Sequence, residues 1–325
     1  MIKQQQEKKS GIGKAVLIIV LLLVLAFVSM IIAGIMGLVF GLGSDKAADS
    51  DYKVTKTGNV ALVKINGVIM TDVSTGLFDE AVDTSSTELM RRLSEIRDDD
   101  SIKAVLFEIN SPGGSPVATE EISNAIKSIG KPTVSYIREV GASGAYWVAS
   151  STDYIFASRL SFVGSVGVYG SYIEFSGLME RYNVTYQRFV SGKYKDFGVP
   201  YRKASKEEKD IFQEQLDMTH QIFLDEVTSR RNLTSDALEL VSTGSIFTGS
   251  QALDLGLVDA IGSKDDAVRY LEEKLNMTID LQEYEKETSF FDLFSASMQD
   301  SSYSVGRGIG DALVRSSMLS GLSIR

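Results

Sequence analysis

The sequence predicts an α/β protein: a largely parallel sheet with covering helices, preceded by one N-terminal transmembrane helix. Three observations carry that prediction. Short β-rich runs alternate with amphipathic helical runs from Val60 to Lys274, helix starts are marked by capping signatures at Ser85, Ser115 and Ser205, and no residue from Ala15 to Gly43 is charged. Alternation of this kind builds parallel sheets, because a parallel strand pair needs a crossover and the usual crossover is a helix. At 325 residues with 44% apolar content, the chain is long enough for one large or two medium domains and can bury a sizeable core.

The uncharged run 15–43 exceeds the roughly 20 apolar residues that a span requires and the roughly 7–15 of a cleaved signal peptide, so it reads as a retained transmembrane anchor. Lys3, Lys8, Lys9 and Lys14 precede it, whereas Asp45, Asp49 and Asp51 outnumber Lys46 beyond it. The positive-inside rule then places residues 1–14 in the cytoplasm and everything after the anchor outside the cell membrane. Residues 44–57, small and polar, read as a linker; 58–287 read as the folded domain; 288–325, rich in Ser and Gly, read as a flexible tail.

Within the folded domain, 60–65 reads as a strand followed by an acidic, Ser/Thr-rich loop to Thr84. Ser85 with Glu88 forms a capping box ahead of Leu89, Leu93 and Ile96 at helical spacing. A strand over 104–109 runs into the turn Asn110-Ser-Pro-Gly-Gly-Ser115, and Ser115 followed by Pro116 starts a helix that Gly130 and Pro132 end. Next come a strand over 133–138, a helix opened by Ser143, a strand over 154–157, a helix over 173–181 and a strand over 184–190. Ser205 and Glu208 open a long helix to about Arg230, and short helices follow over 235–241, 249–254 and 264–274.

Composition removes several chemistries. With no cysteine and a single histidine, His220, thiolate nucleophiles, disulfides and multi-histidine metal sites are excluded. A net charge of -10 argues against a phosphate-backbone partner such as nucleic acid. Covalent catalysis here must use Ser, Thr, Lys or a carboxylate.

The candidate nucleophile is Ser143, in Val140-Gly-Ala-Ser-Gly-Ala-Tyr-Trp147. A serine flanked by small residues, after a β-rich run and before a helix, can expose its hydroxyl where first-turn N–H groups point at the substrate. The same pattern also suits a close-packed helix start. His220 lies mid-helix between Leu216 and Phe223, where a core or interface histidine sits. A desolvated lysine can act as base instead, and alternation after the strand puts Lys193 and Lys195 on one side; a solvated loop lysine is the rival reading. Gly113 and Gly114 let a substrate approach the backbone closely. The run Val163-Gly-Ser165-Val-Gly-Val-Tyr-Gly170 lacks dinucleotide-loop spacing, but a second serine there can orient a lysine.

In this order the segments resemble the signal peptide peptidase A (SppA) family of membrane-anchored serine proteases, which have the ClpP/crotonase fold. The resemblance spans roughly residues 58–275 and is carried by Ser-Pro-Gly-Gly114, Ala142-Ser143-Gly-Ala-Tyr-Trp147, Gly164-Ser165-Val-Gly-Val168, Ser191-Gly-Lys-Tyr-Lys195 and Phe247-Thr-Gly-Ser-Gln-Ala-Leu-Asp-Leu-Gly-Leu-Val-Asp259. It implies Ser143 as nucleophile, Lys195 as general base, Ser165 as the residue orienting the lysine, and the Gly114 and Gly144 N–H groups as oxyanion donors. It further implies hydrophobic peptide substrates such as cleaved signal peptides, no cofactor or metal, and a homo-oligomeric ring whose serine and lysine can come from neighbouring subunits. Two positions depart from the family pattern: Ala145 stands where glycine is frequent, and Asp196 where serine commonly follows the lysine. On a strand the Asp196 carboxylate would face away from Lys195. The alternatives are a crotonase-like thioester enzyme, which the outside topology disfavours because coenzyme A substrates are cytoplasmic, and a non-catalytic membrane scaffold.

Overall fold

Strand β2 (Val60–Met70) explains why its run is apolar at nearly every position. Ala61, Val63 and Ile65 enter one buried cluster and Val60 and Leu62 another, so both faces of the strand are covered. The structure is a computed structural model that describes residues 52–72 and 84–286. Around β2 the described residues form a mostly parallel, mixed sheet in an α/β arrangement. Its order is β1 (Tyr52–Lys56), β10 (Leu281–Lys286), β2, β4 (Ala104–Gly114), β5 (Thr133–Ala142), β6 (Tyr154–Ala157) and β9 (Ala260–Ile261). Two short strands branch from this row, β3 (Thr84–Ser85) beside β2 and β7 (Phe162–Gly164) beside β5, and β7 in turn pairs with β8 (Ile246–Thr248). Only the β1/β10 and β7/β8 ladders are antiparallel.

Helices α1 (Ser86–Asp98), α2 (Pro116–Lys127), α3 (Gly144–Ser150) and α5 (Lys206–Arg230) contribute Leu93, Ile122, Val148 and Phe223 to the larger cluster. The opposite face is closed by α8 (Lys264–Leu275) through Ala267 and Leu271. Local sequence starts these helices as expected. Ser85 Oγ accepts the Glu88 N–H, Ser115 and Pro116 open α2, and Ser205 and Glu208 form a reciprocal capping box on α5. The remaining helices are α4 (Ser176–Arg181), α6 (Ser235–Val241) and α7 (Gly249–Asp254).

The motif ending at Asp259 supports the helix behind Ser143. Arg231 grips Asp259 with both guanidinium arms at 2.8 and 3.0 Å, and the same carboxylate accepts the Ile155 N–H at 2.8 Å. Tyr146, fully buried on α3, donates its hydroxyl to Leu257 O at 2.8 Å, and burial pushes its phenol upward from the ordinary value.

Several elements differ from the sequence reading, each for a non-local reason. Tyr52–Lys56, inside the stretch read as linker, is strand β1 because β10 offers it an edge. Strand β4 runs through the expected Ser-Pro-Gly-Gly turn, since Gly113 and Gly114 pair with Val68 and Ile69 after an irregularity near Gly67. Ser111 Oγ donates to Gly67 O at 2.6 Å and stabilises that bend. Residues 184–190, β-prone in composition, form no strand: they are exposed and meet no partner strand. The helix expected over 173–181 is confined to Ser176–Arg181. The apolar run 15–43 and the tail 288–325 lie outside the described residues. Among the described residues no helix is long and apolar enough to cross a membrane.

Candidate active site

Strand β5 ends at Ala142, and the chain turns into α3 through Ser143 with φ 53° and ψ -129°. A non-glycine residue at positive φ costs on the order of 1–3 kcal/mol, so the surroundings must fix it. They do: the Ser143 N–H donates to Gly164 O at 2.8 Å, continuing the β5/β7 ladder that pairs Ala142 with Gly164. One residue further on, Ser165 is also at positive φ, 52°, and its N–H donates to Ser245 O at 2.8 Å. The two strained serines thus sit on adjacent, hydrogen-bonded turns.

Both serines line one cleft of about 910 Å³, with Gly113, Gly114, Asp217 and His220 also on its wall. Val68 and Met70, exposed on β2, give one side of the cleft an apolar surface. A smaller pocket of about 110 Å³ adjoins Ser143 and is lined by Pro116, Thr119, Trp147 and Phe223. Trp147 and Phe223 are stacked there with ring centroids 5.0 Å apart.

The glycines expected to hold an oxyanion come together. A Cβ on Gly144 would lie 3.3 Å from Gly114 N and 2.4 Å from Thr119 Oγ1, while a Cβ on Gly113 would lie 2.6 Å from Gly144 N. The backbones at 113–114 and 143–144 therefore approach at distances that only glycine permits. The Gly144 amide opens α3, whose first-turn N–H groups lack intrahelical acceptors. Thr119, whose Oγ1 donates to Ser115 O at 2.9 Å, was not marked by any sequence signal.

Lys195 is elsewhere. It is exposed, does not line the cleft, and lies in a turn where its N–H donates to Gly192 O at 3.2 Å. The segment is a succession of turns rather than a strand, so alternation does not govern which way Lys193 and Lys195 point. Lys193 and Tyr194 both bind the Glu207 carboxylate. Asp196 is buried and clamped by Arg188 at 2.7 and 2.8 Å and by Arg202 at 2.9 Å. Those two guanidinium groups, Arg188 first, hold its carboxyl far below the usual carboxylate range.

Arg202 also pairs with Glu208, the reciprocal partner in the α5 capping box. Arg202, then the Ser205 N–H, hold the Glu208 carboxyl down at about 2, against 4.5 for an ordinary glutamate. A depressed folded-state value means that the charge contributes stability above pH of about 4.5 and loses it as pH falls toward about 2. The gap in melting temperature between this protein and Glu208→Gln is therefore expected to narrow over that window. A gap that stays constant from pH 6 to the acid limit would show that the Glu208 charge does not support the fold.

His220 is half-buried at the cleft wall rather than in the core, and its Nε2 lies 3.1 Å from Val166 O. The sequence placed His220 mid-helix between Leu216 and Phe223, but did not show the cleft wall that it shares with Gln213, Leu216 and Asp217. Among the described residues no group of three or more His, Asp or Glu side chains is placed to hold a metal ion.

Residues 125–278, which include Ser143, Ser165 and Lys195, match the sequence model of Peptidase family S49. A putative protease of Methanocaldococcus jannaschii is 35% identical over 226 residues, covering 68% of this chain and 71% of the relative. A putative signal peptide peptidase SppA of Enterococcus faecium is 33% identical over 236 residues, 71% of this chain and 68% of the relative. Protease 4 of Haemophilus influenzae is 30% identical over 257 residues, 74% of this chain and 41% of the relative.

Proposed function

Because the chain belongs to the signal peptide peptidase A family, peptidase family S49, and is a serine protease, we propose that it cleaves hydrophobic peptides with a Ser143–Lys195 dyad. The observation that carries this reading is the strained Ser143 turn on the cleft wall, set against the Gly114 and Gly144 backbones. Ser143 Oγ attacks the scissile carbonyl while the neutral Lys195 amine takes its proton. The Gly114 and Gly144 N–H groups receive the developing oxyanion, where aligned donors contribute most. The ammonium so formed then protonates the leaving nitrogen, and water, activated by the amine thus restored, releases the acyl group. Ser165 orients the amine.

Lys195 reaches the serine of a neighbouring subunit. Its exposure outside its own cleft supports this. Tyr169, Ile173 and Phe189, which are 89%, 80% and 90% exposed, are apolar surface that suits a homo-oligomeric ring. The apolar cleft wall and the pocket against Trp147 and Phe223 suit apolar side chains, in keeping with remnant signal peptides as substrates. Residues 15–43 serve as the membrane anchor, which puts a ClpP/crotonase-type domain outside the cell membrane.

In the assembled protein, Lys195→Ala is expected to abolish peptide hydrolysis. Full activity of an assembled Lys195→Ala protein would refute the dyad.

A further inference from the structure

We propose that His220 is a positioning residue of this protease: its ring fixes the Ser165 turn, and through it the Ser165 hydroxyl, relative to Ser143. The inference rests on the reading that Ser165 orients the Lys195 amine.

The contact itself defines the proton. A backbone carbonyl only accepts, so the 3.1 Å approach of Nε2 to Val166 O requires the ring to donate from Nε2. That nitrogen is then a donor and cannot also take a proton from Ser143. What it holds is a turn that does not hold itself. Gly164 and Ser165 are consecutive residues at positive φ, 99° and 52°. The N-terminal side of the turn is tied by Ser143 N–H to Gly164 O and by Ser165 N–H to Ser245 O. The carbonyl that leaves the turn, Val166 O, is met by His220.

The helix that carries the ring is itself referenced to the nucleophile. Three residues beyond His220, Phe223 is buried on α5 and stacks on Trp147 of α3, the helix that Ser143 begins. A closed circuit results: Ser143, Trp147, Phe223, His220, Val166, Ser165, and back through Gly164 to Ser143. The imidazole is the one side-chain hydrogen bond in that circuit, and losing it frees the Ser165 carbonyl side without disturbing the nucleophile turn.

The test compares His220→Phe, which keeps a ring but no donor, with His220→Gln, whose amide nitrogen can reach the same carbonyl. In the full-length assembled protein His220→Phe is expected to lower kcat by about 10- to 100-fold, the range for a misplaced catalytic contact. KM and melting temperature should change little, and His220→Gln should recover most of the loss. On a Ser165→Ala background, His220→Phe should cause no further loss, since the two residues act as one unit. His220→Ala takes the place of the phenylalanine variant if that chain does not assemble. Full kcat without the donor, a glutamine variant as impaired as phenylalanine, or losses that multiply on the Ser165→Ala background would each overturn the proposal. Lys195→Ala in parallel keeps the two readings apart: an active Lys195→Ala protein removes the dyad, whereas the His220 variants alone decide the circuit.

Discussion

Mixing Ser143→Ala chains with Lys195→Ala chains is expected to restore activity that neither has alone. If each site takes its serine from one subunit and its lysine from the next, a site works only where a Lys195→Ala chain supplies Ser143 and a Ser143→Ala chain supplies Lys195. Random assembly of equal amounts in a head-to-tail ring makes about a quarter of the sites whole. The rate per chain should therefore reach about a quarter of the unmodified value after subunits exchange, and stay near zero when assembled rings are mixed without exchange. No recovery in rings shown by native mass spectrometry to contain both chains would mean that Ser143 and its base belong to the same subunit. The structure makes that distinction worth testing: among the described residues no lysine lines the cleft holding Ser143 and Ser165, and Lys195 is exposed on a turn.

The departure at Asp196, beside the lysine, also acquires a physical account. Asp196 does not oppose the amine through an unmatched charge, because Arg188 and Arg202 already occupy both of its oxygens. Its carboxylate instead joins the Lys195 turn to the α5 cap through Arg202 and Glu208. Sequence reasoning expected Asp196 to face away, on the argument that strand neighbours alternate. The side chain is turned inward to its two arginines, and the segment is not a strand.

What the sequence made legible was local. Capping pairs such as Ser205 with Glu208 and Ser85 with Glu88 are contained within four residues, and the helices begin where those pairs stand. The β-rich runs of β2, β4 and β5 were equally plain, but not their lengths. Strand β4 extends to Gly114 because β2 curves to meet it across an irregularity at Gly67, a pairing between residues more than forty positions apart that no local pattern encodes. The same limit applied to residues 184–190, where β propensity found no neighbour to pair with, and to His220. Its place in mid-helix was visible, but the Val166 carbonyl that it meets lies 54 residues away. For Ser143 the small flanking residues suggested a turn, yet its positive φ follows from the Gly164 contact and from Gly113 beneath it.

Gly114→Ala is expected to do more damage than its size suggests, and to separate catalysis from stability. A Cβ on Gly114 would lie 1.9 Å from Ile69 O, 2.6 Å from Ile69 N and 2.7 Å from Ile69 C. All three are backbone atoms of the paired strand, so no side-chain rotation relieves the clash, and the end of β4 must part from β2. Overpacking of this sort costs about 1–3 kcal/mol. On the proposed mechanism the displacement also carries the Gly114 N–H away from the oxyanion, and loss of one such donor lowers kcat by about 100- to 1000-fold. Gly130→Ala is the matched control. Gly130 has φ 67° at the end of α2, but a Cβ there meets nothing within 4 Å. That variant pays only the backbone strain of about 1–2 kcal/mol, so it should lower the melting temperature while leaving kcat unchanged. Comparable melting temperatures for the two variants, with kcat lost only in Gly114→Ala, would tie the glycine to the chemistry. An unimpaired kcat in Gly114→Ala would remove its amide from the oxyanion site.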